Sequence, residues 1–209
     1  MTLPRLYPIL DTESLARVGC PLETAARATL EGGARILQLR HKGHWPRELF
    51  TEAVRIRQMA RDAAATFVVN DRADFAALLD AGLHAGQDDL SPSNARRVIG
   101  VRPLGFSTHN EAQLRAAASL PCDYLALGPI FSTGSKRNPG PLVGVERLHQ
   151  WRRLTMRPLV AIGGITREHA RAVWDAGADS VAVIGDLLVE PYSFEALRRR
   201  IEEWLKLAA

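Results

Sequence analysis

The chain alternates short apolar runs with longer amphipathic stretches. Most of the runs are four or five residues long and almost continuously apolar, which is typical of parallel strands covered on both faces. They predict eight strands, at residues 6–10, 36–40, 66–69, 83–85, 104–107, 124–127, 159–162 and 180–183. Amphipathic stretches follow them and predict helices that include 46–63, 91–98, 110–119, 168–176 and 193–207.

Helix start and stop signals support this division. Ser91 precedes Pro92 and Ser193 precedes the last helix, as N-cap residues do. Glycines are expected to close helices just before the next strand, at Gly32, Gly33, Gly82 and Gly177.

Eight strand–helix units in 209 residues, without a linker, predict an α/β fold: a closed (β/α)8 TIM barrel in one domain spanning residues 1–209. The main alternative is an open doubly wound sheet. That fold more often has about five to seven strands, and its GxGxxG fingerprint is absent after the first strand.

Composition narrows the classes of protein. Cys20 and Cys122 are far apart in sequence, which disfavours a disulfide framework or thiolate zinc site and favours a reducing compartment. No stretch approaches the roughly 18 apolar residues of a membrane span, so we predict a cytoplasmic protein without a membrane partner. The net charge of +4 suits small anionic substrates. The basic run at 198–200 is more typical of a solvated helix face, and no basic stretch interleaved with aromatics indicates nucleic-acid binding.

Polar residues cluster where predicted strands end, which is where TIM barrels carry their chemistry. After the second strand, alternation sends Gln38, Arg40 and Lys42 to one side, with cations suited to phosphate. Aspartates follow the third and fourth strands, at 71, 88 and 89, and carboxylates beside phosphate ligands suit Mg²⁺. Two alternatives stay open: Asp71 could cap a helix beginning near Ala73, and Asp88 could be a charge near the next helix.

The later strand ends add hydroxyls and glycines. The loop after the sixth strand contains Ser132, Thr133 and Ser135 and closes on Lys136, a composition suited to phosphate. Glycines follow the seventh and eighth strands, where exposed backbone N–H groups form the phosphate site of many barrels. Ser107 and Ser135 lie outside any GxSxG motif, which disfavours hydrolase chemistry.

Taken in order, these motifs resemble the thiamine-phosphate synthase family. The similarity rests on their ordered combination, because no single motif is decisive. The matching segments are LYPILD at 6–11, QLRHK at 38–42, VNDR at 69–72, HAGQDDL at 84–90, GFSTH at 105–109, GPIFSTGSK at 128–136 and AIGGI at 161–165.

The resemblance implies a transferase of thiamine biosynthesis. It would condense 4-amino-2-methyl-5-hydroxymethylpyrimidine diphosphate with a thiazole phosphate, or its carboxylated form, to give thiamine phosphate and diphosphate. These two small phosphorylated substrates would be its partners, and a homo-oligomer is left open.

The resemblance also assigns residues. The diphosphate would bind at Gln38, Arg40, Lys42, Asn70, Ser107 and Lys136, with Arg40, Lys42, Ser107 and Lys136 as the catalytic set. Mg²⁺ would be held by Asp71 and Asp89. The thiazole phosphate would meet Thr133, Ser135, Gly164, Ile184 and Gly185, and Leu39, His41 and Gly134 complete the implied substrate-binding segments.

Two positions depart from the family pattern. The family commonly has Thr-x-Thr-Lys after the sixth strand, where this chain has a serine at 135, which keeps a hydroxyl. It commonly has a serine after the eighth strand, where Gly185 retains only its N–H, so affinity for the thiazole phosphate comes into question.

Two other functions are compatible with part of this pattern. The thiazole tautomerase branch of the same superfamily is an isomerase that shares a Ser-x-His after the fifth strand, here Ser107 to His109. Another phosphate-binding barrel isomerase is the second rival. The synthase is favoured because the residues for the diphosphate substrate are all present, at Asn70, Asp71, Gln87, Asp89 and Lys136.

Overall fold

Eight parallel strands close into a barrel in chain order. The structure is a computed structural model that describes residues 1–134, 140–188 and 190–208. The strands are β1 (Leu6–Asp11), β2 (Ile36–Arg40), β3 (Thr66–Asn70), β4 (Gly82–Ala85), β5 (Leu104–Thr108), β6 (Tyr124–Leu127), β7 (Leu159–Ile162) and β8 (Ser180–Val183). Pairing of β1 with β8 closes the barrel, with Leu6 opposite Val181.

Helices surround the strands. They are α1 (Thr12–Arg17), α2 (Leu22–Glu31), α3 (Arg47–Asp62), α4 (Ala73–Leu78), α5 (Pro92–Ile99), α6 (Glu111–Ala117), α7 (Gly144–Trp151), α8 (Arg167–Asp175) and α9 (Phe194–Ala208). Short 3₁₀ turns occur at Arg152–Leu154 and Gly185–Leu187. Within the described ranges, no helix is long and apolar enough to cross a membrane.

The predicted barrel is confirmed, and because the sheet closes on itself, the alternative of an open doubly wound sheet is excluded. Predicted strand bounds agree with the observed ones to within one residue. The predicted caps are also present, since Ser91 Oγ accepts from Asn94 N at 3.4 Å and Ser193 Oγ accepts from Ala196 N at 3.0 Å.

The prediction for Gly82 is wrong. It does not close a helix, because α4 ends at Leu78 and Gly82 is the first residue of β4. A Cβ atom there would lie 3.0 Å from the Pro103 carbonyl oxygen, so the glycine permits a close approach between neighbouring segments. Trp45, which lies just before α3, is buried in the outer core.

Strand alternation divides the core into two layers. Outward side chains pack beneath the helices, for example Leu37, Leu39 and Leu83. Inward side chains fill the barrel in a second cluster that contains Tyr7, Ile9, Ile36, Val68, Tyr124, Ala126, Val160 and Ala182. This apolar filling supports the polar residues that lie toward the carboxyl ends of the strands.

Candidate active site

Arg40 forms a buried ion pair with Asp11 at the mouth of the barrel. The two residues are partners in the β1–β2 ladder, and their side chains are 12% and 4% exposed. Asp11 also accepts hydrogen bonds from Ser14 N at 3.0 Å and Ser14 Oγ at 2.6 Å. Asp11, itself fixed by Ser14, therefore holds the Arg40 guanidinium in a defined position. Sequence reasoning identified Arg40 but gave Asp11 no role.

A chain of hydrogen-bonded side chains crosses the inside of the barrel, and we call it the interior chain: Gln38, Tyr7, Tyr124, His84 and Ser107. Gln38 Nε2 donates to Tyr7 Oη at 3.1 Å, and Tyr7 Oη lies 2.8 Å from Tyr124 Oη. Tyr124 Oη lies 3.1 Å from His84 Nδ1. His84 Nε2 lies 2.8 Å from Ser107 Oγ. The interior chain therefore joins two predicted site residues, Gln38 and Ser107.

The two tyrosines of the interior chain were missed from the sequence, where they look like ordinary strand residues. Burial raises the pKa of Tyr7 to about 12, against the opposing effect of its hydrogen bonds to Tyr124 and Gln38. Burial also raises the pKa of Tyr124 well above its usual value, and Tyr7 beside it adds to the rise. Both phenols are consequently protonated at neutral pH.

Lys42, Asp71 and Asp89 form an ionic group beside the interior chain. Lys42 Nζ lies 2.5 Å from Asp71 Oδ2, and Asp89 Oδ2 accepts from Gly86 N at 2.7 Å. Burial raises the pKa of the Asp71 carboxyl, Lys42 lowers it, and the neighbouring Asp89 carboxylate raises it. Two carboxylates thus lie side by side with one lysine.

The backbone supports a site role for Asp71 over a capping role. The N-cap of α4 is Arg72, and the Asp71 side chain reaches Lys42. Asp71 has a φ of 64°, a left-handed conformation that is uncommon outside glycine and occurs often at functional sites. Its N–H donates to the His84 carbonyl at 2.8 Å, which ties β3 to β4 at this point. Asp88, by contrast, is exposed.

Asn70 provides a buried donor beside this group. The residue is 6% exposed, and its Nδ2 has no hydrogen-bond partner among the residues that the structure describes. Leaving such a donor unpaired is costly, so a ligand oxygen is the partner that its position favours.

The donor set suits Mg²⁺ shared with a substrate phosphate. Among the described residues, no group of three or more His, Cys, Asp or Glu side chains could hold a metal. Asp71 and Asp89 alone supply two oxygen-donor groups, and Mg²⁺ commonly uses one or two carboxylates with phosphate and water. A zinc-type cage, in contrast, would need more protein ligands.

Gly164 and Gly185 lie after β7 and β8, on the other side of the mouth. Gly164 has a φ of 64°, and a Cβ atom there would lie 2.2 Å from the Ser132 carbonyl oxygen, so the loops after β6 and β7 are in close contact. Gly185 is exposed at the start of the 3₁₀ turn that follows Ile184. A Cβ atom on Gly185 would meet no heavy atom of the described chain within 4 Å.

The 3₁₀ turn after β8 is anchored through Asp186. Its Oδ2 accepts from Trp204 Nε1 at 2.8 Å and from Arg167 Nε at 3.1 Å, and its carbonyl accepts from Arg200 Nη1 at 2.5 Å. Residues of α8 and α9 therefore hold the turn that begins at Gly185. The sequence gave no signal for this anchor, because the partners are separated by 14 to 19 positions.

The remaining predicted site residues differ in their burial and in the direction of their side chains. Leu39 is fully buried in the outer core, so its side chain faces away from the barrel interior. His41 is half-buried, with Nδ1 2.8 Å from Thr12 Oγ1 and Nε2 2.9 Å from the His44 carbonyl. Thr133 is half-buried and Gly134 exposed. Ser135 and Lys136 lie outside the described residues.

A closed barrel whose mouth combines paired carboxylates, basic side chains and glycine turns is typical of enzymes that act on phosphorylated substrates. The family model described as thiamine monophosphate synthase matches residues 6–187. This chain belongs to that family.

Named relatives agree with the family assignment. A thiamine-phosphate synthase of Koribacter versatilis is 48% identical, with 99% of this chain and 97% of that protein covered. Another, of Moorella thermoacetica, is 42% identical over 95% of this chain and 94% of that protein. The solved thiamine phosphate pyrophosphorylase of Pyrococcus furiosus superposes with a TM-score of 0.84 at 32% identity, covering 98% of this chain and 95% of that one.

Proposed function

We propose that this protein is a thiamine-phosphate synthase that condenses a pyrimidine diphosphate with a thiazole phosphate. The observation that carries the proposal is the ionic group at the mouth, where Asp71 and Asp89 adjoin Lys42 and the unpaired amide of Asn70. Family membership supports the same activity. A mouth with a metal-binding carboxylate pair and buried donors suits a diphosphate, which carries a high negative charge and many acceptor oxygens.

The reaction requires charge stabilisation more than a strong base. The bond between the pyrimidine methylene carbon and the diphosphate oxygen breaks, and its electron pair leaves with the diphosphate. The thiazole nitrogen lone pair then forms the new carbon–nitrogen bond. Arg40, Lys42 and Ser107 would donate to the departing oxygens, and fixed donors of this kind act strongly in a site that excludes water.

Mg²⁺ would be held by Asp71 and Asp89, and when bound it would offset the negative charge of the diphosphate. Asn70 would direct its buried amide at a diphosphate oxygen. Lys42 balances the two carboxylates on the protein side, so the pair can remain close together when no cation is bound. Lys136, which the family pattern adds to this set, would approach from the loop after β6.

The thiazole phosphate would bind across the mouth, at the glycine turns after β7 and β8. The N–H groups of Gly164 and Gly185 and the hydroxyls of Thr133 and Ser135 would meet its oxygens, with Ile184 beside the ring. This arrangement orients the two substrates toward each other, and alignment of two reactants supplies a large part of such rate enhancements.

In the direct test, purified protein is incubated with both precursors, with and without Mg²⁺, and the thiamine phosphate and diphosphate formed are measured. The two products should form in equal amounts. Omitting either precursor is the control. We expect product only with both precursors and the metal. Isomerisation of a thiazole phosphate without formation of thiamine phosphate would instead support the tautomerase. Comparing plain and carboxylated thiazole phosphates decides which form is used, and cell fractionation tests the expected cytoplasmic location.

A further inference from the structure

The proposed reaction uses Ser107, at one end of the interior chain, but not the two tyrosines. Tyr7 and Tyr124 lie in the inner core, below the mouth, and are 1% and 0% exposed. Their hydroxyls contact each other and connect Gln38 with His84. Since neither hydroxyl is accessible to solvent, each must use its protons and lone pairs within the chain of contacts.

With its amide oriented as observed, Gln38 sets the direction of donation in the interior chain. A carboxamide nitrogen donates and does not accept, so Tyr7 Oη accepts from Gln38 Nε2. A phenol has one proton, and Tyr7 therefore donates it to Tyr124, its other hydrogen-bond partner in the described structure. By the same count Tyr124 donates to His84 Nδ1. The raised pKa values of both phenols keep these protons in place.

The His84 imidazole continues the same order of donors and acceptors. Because His84 Nδ1 accepts, the neutral ring carries its proton on Nε2, which donates to Ser107 Oγ. Ser107 cannot then donate to His84, and its own proton turns to another acceptor. If each hydrogen bond ran in the opposite direction, the Tyr7 proton would point at the amide protons of Gln38. One donor would then have no acceptor in a site without water.

We propose that Tyr7 and Tyr124 are positioning residues, which fix the direction of the interior chain so that Ser107 donates to the bound diphosphate. Phosphate oxygens accept hydrogen bonds, so a serine that faced them with lone pairs alone would repel them. The proposal rests on the proposed function for the identity of the ligand. The direction of the interior chain itself does not depend on that function.

Tyr124→Phe is the informative variant, because the Tyr124 hydroxyl is the link between Tyr7 and His84. It keeps the ring and removes the donor to His84 Nδ1, so either nitrogen of the imidazole can then carry the proton. The chain has three tyrosines, and Tyr192, next to Cys20 outside the barrel, provides the matched control Tyr192→Phe.

The first measurement is the tautomer of His84, by ¹⁵N NMR of histidine-labelled protein without ligand, with the signal assigned by its loss in His84→Asn. We expect the Nε2–H form in the wild type and in Tyr192→Phe, and a mixture of both tautomers in Tyr124→Phe. A wild-type proton on Nδ1, or a Tyr124→Phe spectrum identical to that of the wild type, would overturn the proposal.

The second measurement is a double-mutant cycle on kcat. Tyr124→Phe should lower kcat about fivefold, the usual effect of one neutral hydrogen bond, and should leave the thiazole KM unchanged. In a Ser107→Ala background the same substitution should have almost no effect, because the hydroxyl that it directs is absent. An equal loss in both backgrounds overturns the positioning role. If the wild type forms no thiamine phosphate, the proposed function fails, while the tautomer measurement still decides the direction of the interior chain.

Discussion

Gly105 and Tyr124 are partners in the β5–β6 ladder, and the tyrosine ring occupies the space that a side chain on Gly105 would need. A Cβ atom on Gly105 would lie 2.1 Å from Tyr124 Cζ and 2.4 Å from its hydroxyl oxygen. The missing side chain of one residue therefore allows the other to cross the barrel and reach Tyr7 and His84.

Gly105→Ala should destabilise the protein by about 1–3 kcal/mol or more, because a close-packed core must then move a fully buried ring. Urea unfolding measures the loss. Gly140→Ala is the matched control, since a Cβ atom there meets no described heavy atom within 4 Å, and its stability should remain near that of the wild type. Equal stabilities for the two variants would show that Tyr124 can move aside freely.

Asp71→Asn should lower turnover about 10²-fold at fixed Mg²⁺ and raise the Mg²⁺ concentration needed for half-maximal rate, because an oxygen donor of the metal loses its charge. Asp88→Asn provides the control, since this carboxylate is next to Asp89 in sequence but exposed. Rates over a Mg²⁺ titration check both variants. Near wild-type activity of Asp71→Asn in the presence of EDTA would contradict the proposed metal site.

Arg40→Ala should lower turnover by about 10²–10³, since the departing diphosphate loses a fixed cation. It should also lower the free energy of unfolding by about 3–5 kcal/mol, because Asp11 is left buried without its partner. Arg115→Ala breaks an exposed pair with Glu111 and should cost only about 0.3–0.5 kcal/mol. Steady-state kinetics and chemical unfolding test the two effects separately. A change confined to the thiazole KM would indicate that the two substrate sites have been assigned the wrong way round.

Gly185→Ser should lower the KM for the thiazole phosphate about two- to fivefold, with little change for the pyrimidine substrate. The new hydroxyl adds one donor to a charged acceptor, and displaced water reduces the gain. The structure offers room for it, since the φ of Gly185 is outside the left-handed region and its surroundings are open.

Gly164→Ala is the contrasting variant for this site, because its Cβ atom would meet the Ser132 carbonyl and it should impair thiazole phosphate binding and stability together. Kinetics for each substrate and a melting curve distinguish the cases. If Gly185→Ser left both KM values unchanged, the phosphate would have to bind elsewhere. Equal losses for both substrates with a lower Tm would indicate strain in the loop.

Most of the fold could be predicted because parallel strands buried on both faces leave a local signature, as at β2 and β7, whose predicted and observed bounds coincide. The placement of Arg40 at the mouth also follows from alternation along one strand. The interior chain could not be predicted in the same way. Tyr7 and Tyr124 are 117 positions apart, and their contact depends on strand register, barrel closure and the small volume of Gly105.

Pairing of β1 with β8 has a consequence for biosynthesis. Strand β1 leaves the ribosome before the other barrel strands, and it has its final neighbour, opposite Leu6 at Val181, only when β8 has been made. Contacts of such long sequence separation form slowly. Until then both edges of the growing sheet are open templates for strands of other molecules. The step that completes the ring and brings the turn after β8 to the mouth is thus also the step that ends the aggregation-prone period of the nascent protein.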